Sequence, residues 1–331
     1  MAGAHIFGCA GPELSASEAA FFRAADPWGF ILFERNCVSK AQVAALTAAL
    51  RESVGRDAPV LIDQEGGRVQ RLWPPVWAGH PPALDLVEAS PDPERALWLR
   101  GALIATELRE IGIDVNCAPM GDTAFAGTHS RLRNRCYGHT AEEVARRARA
   151  LAKGQSAGGV LSVVKHMPGH GSATKDSHID LPRVTKTKEA LAAEDFVPFK
   201  ALADIPLGMT AHVVFEAYDA KRAATTSPAL HRVIREEIGF DGLLMTDDLS
   251  MDALSGGPRS RAEAALRAGC DVILHCNGVM AEMEEVATVG ALTEAAAARA
   301  ARALALRPDA PNIDTGALTA ELRSLTNGAA A

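Results

Sequence analysis

The run Lys165-His166-Met167-Pro168-Gly169-His170-Gly171-Ser172, continuing to Asp176-Ser177-His178, brings three imidazoles, ammonium groups and a carboxylate into one short span. Its glycines and Pro168 allow the backbone to approach a ligand closely, and its polarity excludes it from a core. Asp176 and His178 stand two apart, a spacing that lets the carboxylate fold back onto the imidazole and fix its tautomer, as a general acid/base requires. The same histidines with Asp176 could also ligate a metal. Asp247 ends the apolar run Leu243-Leu244-Met245-Thr246. A carboxylate held there can attack an electrophilic carbon if positive groups keep it ionised. Capping a following helix is the other role open to it, and Asp248 fits that role better. Asp63, Arg71 and Lys165 carry groups that grip ligand hydroxyls, and an ionised partner strengthens such hydrogen bonds.

These residues need elements to bring them together, and the apolar pattern supplies them. Eight runs read as strands: His5–Cys9, Trp28–Phe33, Pro59–Asp63, Ile113–Ala118, Val160–His166, Leu207–His212, Gly242–Asp247 and Asp271–Cys276. Most are continuously apolar rather than alternating, as expected of strands covered on both faces. Helical segments lie between them. One opens at Ser39 and runs to Val54-Gly55, one spans Ala96–Ile111 before Gly112, and Thr140 with Glu143 forms a capping box. Ser227-Pro228 places proline at a first helical position. This alternation predicts an α/β fold, a single (β/α)8 TIM-type barrel; an open doubly wound sheet is the alternative. No Pro-, Gly- or Ser-rich linker divides the chain, so residues 1–331 read as one domain with a weakly patterned tail over 307–331. In such a barrel the C-terminal strand ends share one mouth, where active sites lie. Here those ends carry Asp63, Lys165-His166, His212, Asp247-Asp248 and Asn277.

Composition narrows the partners. A net charge of -7 disfavours nucleic acid and anionic membrane, which both attract a basic face. No run approaches the roughly 18 apolar residues that span a bilayer. The first residues lack the basic and apolar regions of a signal peptide, and the six scattered cysteines include no C-x-x-C pair. Buried free thiols and a cytoplasmic location are the expectation.

Lys165-His-Met-Pro-Gly-His-Gly171 followed by Asp176-Ser-His178 resembles the signature of glycoside hydrolase family 3 β-N-acetylglucosaminidases of the NagZ type. Asp63-Gln-Glu-Gly-Gly-Arg-Val-Gln-Arg71, Thr246-Asp-Asp-Leu-Ser-Met251 and Ala268-Gly-Cys-Asp271 look like further blocks of the same family. The resemblance implies a retaining enzyme with Asp247 as nucleophile and His178 as acid/base, assisted by Asp176. Asp63, Arg71, Arg135, Lys165 and His166 would line the sugar site. It implies removal of terminal N-acetylglucosamine from 1,6-anhydro-N-acetylmuramic acid fragments, with or without peptide, in cell-wall recycling. The partner is then a small-molecule amino-sugar glycoside, with no cofactor and no metal. Met167 stands where the family usually has Phe, a change that keeps the packing. Other activities of the family are the nearest alternatives: β-glucosidase, β-xylosidase or a phosphorylase. A metal-dependent barrel hydrolase would use His166, His170, His178 and Asp247, but such enzymes carry His-x-His after strand one, where this chain has Gly8-Cys9-Ala10-Gly11. A non-catalytic sugar binder would need no Asp176, His178 and Asp247 set.

Overall fold

The computed structural model describes residues 1–173, 181–251, 253–309 and 312–326. Eight parallel strands form the barrel: β1 (Gly3–Gly8), β2 (Pro27–Leu32), β3 (Val60–Ile62), β4 (Val115–Asn116), β5 (Leu161–Met167), β6 (Leu207–Thr210), β7 (Leu243–Met245) and β8 (Ile273–His275). They pair in chain order, β8 lies beside β1, and a parallel bridge from Met245 to Val272 closes the ring between β7 and β8. The closed barrel, not the open sheet, is the architecture. All eight expected strands are present, though β4 pairs over only two residues where Ile113–Ala118 reads as a strand. A second, two-stranded parallel sheet joins 183–184 to 214–215 and has no counterpart in the sequence reading.

The continuous apolar runs follow from two covered faces. Along a strand, successive side chains point to opposite sides. Leu161 and Val163, Leu207 and Met209, and Leu243 and Met245 fill the lumen, in one cluster with Val115, Cys117, Val272 and Leu274. Intervening residues such as Phe30, Val60, Ile62 and Ile273 pack outward against the helices. Each fully buried Leu, Ile or Phe is worth about 1.5–3 kcal/mol relative to exposure. All six cysteines are free thiols, and five of them are buried.

Several helices begin and end where local chemistry requires. Ser39 Oγ accepts from the Gln42 N–H to open Lys40–Val54, and Gly55 ends that helix at φ 63°. Asp92 caps Pro93–Glu110, starting it three residues before the apolar periodicity suggests. Thr140 and Glu143 form the expected capping box on Ala141–Ala157. Pro93–Glu110 and Ala141–Ala157 pack backbone to backbone, because a Cβ on Gly154 would overlap the Trp98 carbonyl oxygen and one on Gly101 would lie 2.5 Å from that of Leu151.

The end of the barrel opposite the mouth is shut by the helix Glu294–Ala305. Ala296, Ala300 and Ala303 enter the lumen cluster with Leu292. Its arginines reach the N-terminal strand ends: Arg299 pairs with Asp241 and Asp271 at 3.0 Å each. Just beyond it, Arg307 pairs with the fully buried Asp114 at 2.9 Å. A further helix, Thr315–Leu325, buries Leu322 and joins Pro93–Glu110 through a bidentate Arg95–Glu321 pair at 2.6 and 2.8 Å. Among the described residues no helix is long and apolar enough to cross a membrane.

Candidate active site

Loops at the C-terminal strand ends enclose a cavity of about 190 Å³. Asp63, Arg71, Arg135, Lys165, His166 and Asp247 all line it, so residues up to 184 positions apart in sequence share one wall. His170, Asp248, Phe33 and Met209 complete much of the rest. Asp176 and His178 lie outside the described residues.

The loop after β3 is a tight return. Glu65 and Gly66 N–H groups donate to the Val69 carbonyl at 2.9 and 3.1 Å, with Gly66 at φ 100° and Gly67 at φ 58°. Only glycine suits position 66, because its φ is positive and a Cβ there would collide with the Arg100 guanidinium. The Gln64 side chain ties down the loop's base, accepting from the Arg71 and Leu72 N–H groups at 2.9 and 3.2 Å. Beneath the loop, Arg100 is buried and donates to the Glu65 carbonyl.

This loop presents two carboxylates to three cations. Lys165, 2 % exposed at the end of β5, donates to Asp63 Oδ1 at 2.8 Å and lies 2.7 Å from Glu65 Oε1. Arg135 grips Glu65 through two hydrogen bonds of 2.9 and 2.8 Å, and Arg71 reaches Asp63 at 3.2 Å. The Arg71 guanidinium also stacks 5.0 Å from the Phe33 ring centroid. Burial works against ionisation of each carboxyl, but the adjacent cations outweigh it: Asp63 and Glu65 are held below the ordinary carboxylate range. Burial likewise opposes the Lys165 charge, and Asp63 and Glu65 override it, raising the ammonium pKa. The two carboxylates thus meet three cations, a surplus of one positive charge, and all three cations line the cavity.

Asp247 stands just past β7, next to that surplus. Burial alone would push its pKa up; His166, His212, the Asp248 N–H at 2.8 Å and Lys165 together hold it below the usual value. An ionised, half-buried carboxylate at a cavity wall can act as a nucleophile. Asp248 does not cap a helix: among the described residues the next helix after it begins at Pro258. It stitches a turn instead, accepting from the Ser250 N–H and Oγ at 2.9 and 2.6 Å and from the Cys276 N–H at 3.1 Å. His212 supports that turn from below. Its pKa is lowered by burial, its Nε2–H donates to the Asp248 carbonyl at 3.1 Å, and its Nδ1 meets Thr225 Oγ1 at 2.7 Å. Asn277 turns away to Glu282 at 2.7 Å.

Two site carboxylates escape the sequence reading. Glu65 was legible in principle, two residues beyond Asp63 in the same block. Asp122 gave a weaker signal, because the strand before it pairs over only two residues and Asp122 lies six residues past its end. Yet Asp122 is 1 % exposed and accepts from His166 Nδ1 at 2.8 Å and from the His170 N–H at 2.6 Å. His170 packs edge-on to His166 with centroids 5.8 Å apart, and burial lowers its pKa to about 4.

Comparison with known proteins agrees with this architecture. Residues 19–306 match the family model for the glycosyl hydrolase family 3 N terminal domain. The chain is 39 % identical over 277 residues to a beta-hexosaminidase of Methylococcus capsulatus, covering 82 % of each. It is 38 % identical over 280 residues to a beta-hexosaminidase of Vibrio cholerae, covering 83 % of each. Native NagZ from Neisseria gonorrhoeae superposes with a TM-score of 0.85 at 29 % identity, over 99 % of this chain and 96 % of that one. A family 3 beta-N-acetylglucosaminidase from Paenibacillus superposes with a TM-score of 0.82 at 31 % identity, and there this chain spans 62 % of the larger protein. The match runs from the first helix to the one that shuts the barrel, and over that length the chain belongs to glycosyl hydrolase family 3.

Proposed function

We propose that this protein is a retaining exo-β-N-acetylglucosaminidase whose nucleophile is Asp247. The observation that carries the reading is the state of Asp247: half-buried at the cavity wall and held below the ordinary carboxylate range beside charged hydrogen-bonding groups. Family membership and relatives named beta-hexosaminidase support the amino-sugar preference. The cavity's size suits one terminal pyranose rather than a run of sugars, which favours exo action.

In this reading Asp63 accepts hydrogen bonds from sugar hydroxyls, while Arg71, Arg135, Lys165 and His166 contribute the other polar contacts. Asp247 attacks the anomeric carbon as the glycosidic bond breaks, and His178, oriented by Asp176, delivers a proton to the departing oxygen. The product of this half is a glycosyl-aspartate ester. Neutral His178 then takes a proton from water as the water oxygen attacks the same carbon, releasing the β-anomer and free Asp247. The cations around Asp63 and Glu65 are in place before substrate arrives, so little reorganisation accompanies charge development. We assign as substrate N-acetylglucosamine linked to 1,6-anhydro-N-acetylmuramic acid, with or without peptide, in cytoplasmic cell-wall recycling. One domain carries the whole activity.

The test is release of p-nitrophenol from the N-acetyl-β-D-glucosaminide against the β-glucoside, with EDTA present. Turnover confined to the N-acetyl compound is expected, and preference for the glucoside would overturn the substrate assignment. Asp247→Ala should lower kcat by on the order of 10⁴-fold or more, the scale of losing a nucleophile, with folding intact. A variant that keeps wild-type turnover would remove Asp247 from the role. Cleavage of the disaccharide and of its peptide-bearing form, followed by mass spectrometry, decides the natural substrate.

A further inference from the structure

The reaction as assigned leaves one carboxylate of the mouth without a task. Asp122 is 1 % exposed, and three donors converge on it. Oδ2 accepts from the His166 ring at 2.8 Å and from the His166 backbone N–H at 3.2 Å, and Oδ1 accepts from the His170 backbone N–H at 2.6 Å. Its partners belong to β5 and the loop beyond, whereas Asp122 follows β4, so the contact locks neighbouring staves of the barrel together. A carboxylate can accept all three bonds; an amide has one acceptor oxygen and would turn its NH₂ toward a donor.

We infer that Asp122 is a positioning residue for glycoside cleavage, acting through the His166 imidazole. A carboxylate oxygen can only accept here, so the bond to it keeps a proton on His166 Nδ1. That leaves Nε2 as the ring atom available to a ligand in the cavity that His166 lines with Asp247. The neighbouring His170 ring lies edge-on to His166, with centroids 5.8 Å apart. Fixing the ring before binding removes an ordering cost that would otherwise fall on the substrate complex.

This inference rests on the sugar-binding role proposed above for His166, and its test separates the two. Asp122→Asn should lower kcat/KM for the p-nitrophenyl N-acetyl-β-glucosaminide by roughly 10- to 100-fold, the scale of one charge-assisted hydrogen bond. In a His166→Ala background the same substitution should cost less than about 3-fold, because the group it acts through is gone. Equal losses in both backgrounds would show that Asp122 only shapes the loop, and a wild-type rate in Asp122→Asn would dismiss it altogether; both overturn the inference. A second measurement needs no folded Asp122 variant. In ¹⁵N-histidine spectra of the wild type, the resonances absent from His166→Ala should report a protonated Nδ1; a bare Nδ1 would sink the assignment. Should the wild type fail to cleave the aryl substrate at all, the reading of the reaction falls, while the spectra still decide the Asp122–His166 pair.

Discussion

At the scale of the residue, the mouth is governed by one ammonium group. Lys165 Nζ lies 2.8 Å from Asp63 and 2.7 Å from Glu65, and nearly all of it is buried. Removing one partner from a buried charge cluster leaves the others uncompensated, which typically costs about 3–5 kcal/mol. Lys165→Met should therefore destabilise the fold by roughly that amount in urea titration. It should also raise the Asp63 carboxyl pKa, because the cation that lowers it most is gone. Unchanged stability in this variant would mean that Arg71 and Arg135 alone suffice to hold the two carboxylates. Much of this cluster could be read from the sequence, because Asp63, Lys165 and Asp247 each interrupt or end an apolar run and Arg71 closes the polar block that Asp63 opens. Glu65 and Asp122 were harder to see. Each faces its partners only after a loop has folded back or a neighbouring strand has been laid beside it, and neither event leaves a periodicity in the chain.

At the scale of the element, glycine sets how closely two helices approach. Gly154 in Ala141–Ala157 faces the Trp98 carbonyl of Pro93–Glu110 with no room for a methyl group. Gly154→Ala should gain about 1 kcal/mol of helix propensity. The forced separation should more than cancel that gain, for a net loss of about 1–3 kcal/mol. A raised thermal midpoint would contradict the close packing. Caps were the most legible local feature, because Ser39, Thr140 with Glu143, and Ser227-Pro228 act through their own next few residues. The starts and ends that depend on distant partners were not. β4 keeps regular register over only two residues: at its start the Val60 N–H donates to the Asp114 side chain at 2.7 Å instead of to a strand carbonyl, while the Cys117 N–H still donates to Ile62 O at 2.8 Å. The small sheet joining 183–184 to 214–215 depends on two loops meeting, for which a two-residue strand offers no pattern.

At the scale of the whole molecule, the barrel's two ends carry different duties. The mouth holds the ionised cluster; the opposite end is tied by Arg299 and Arg307 to the aspartates that precede the strands. Buried histidines are spread through the fold: burial lowers His5, His170 and His231 to about 4 and His80 to about 3. Each is neutral when folded, whereas the unfolded chain takes up protons below about pH 6.5. At these histidines the unfolded state binds more protons between about pH 6.5 and 4, so their contribution to stability falls as pH falls through that window. Urea titrations at pH 7 and pH 5 should show a lower midpoint at pH 5, before Asp63, Glu65 and Asp247 begin to protonate. A pH-independent midpoint over that window would mean the histidines titrate normally in the folded state.

The filled lumen has one more consequence. With Leu, Val and Met side chains packed along the axis and an alanine-faced helix across the far end, no second passage runs down the barrel axis among the described residues, which leaves the mouth as the cavity's doorway. Substrate, departing fragment, water and released sugar must all use it in turn. The fragment has to clear the threshold before water can follow it in, and a sugar that lingers there keeps the next substrate waiting outside.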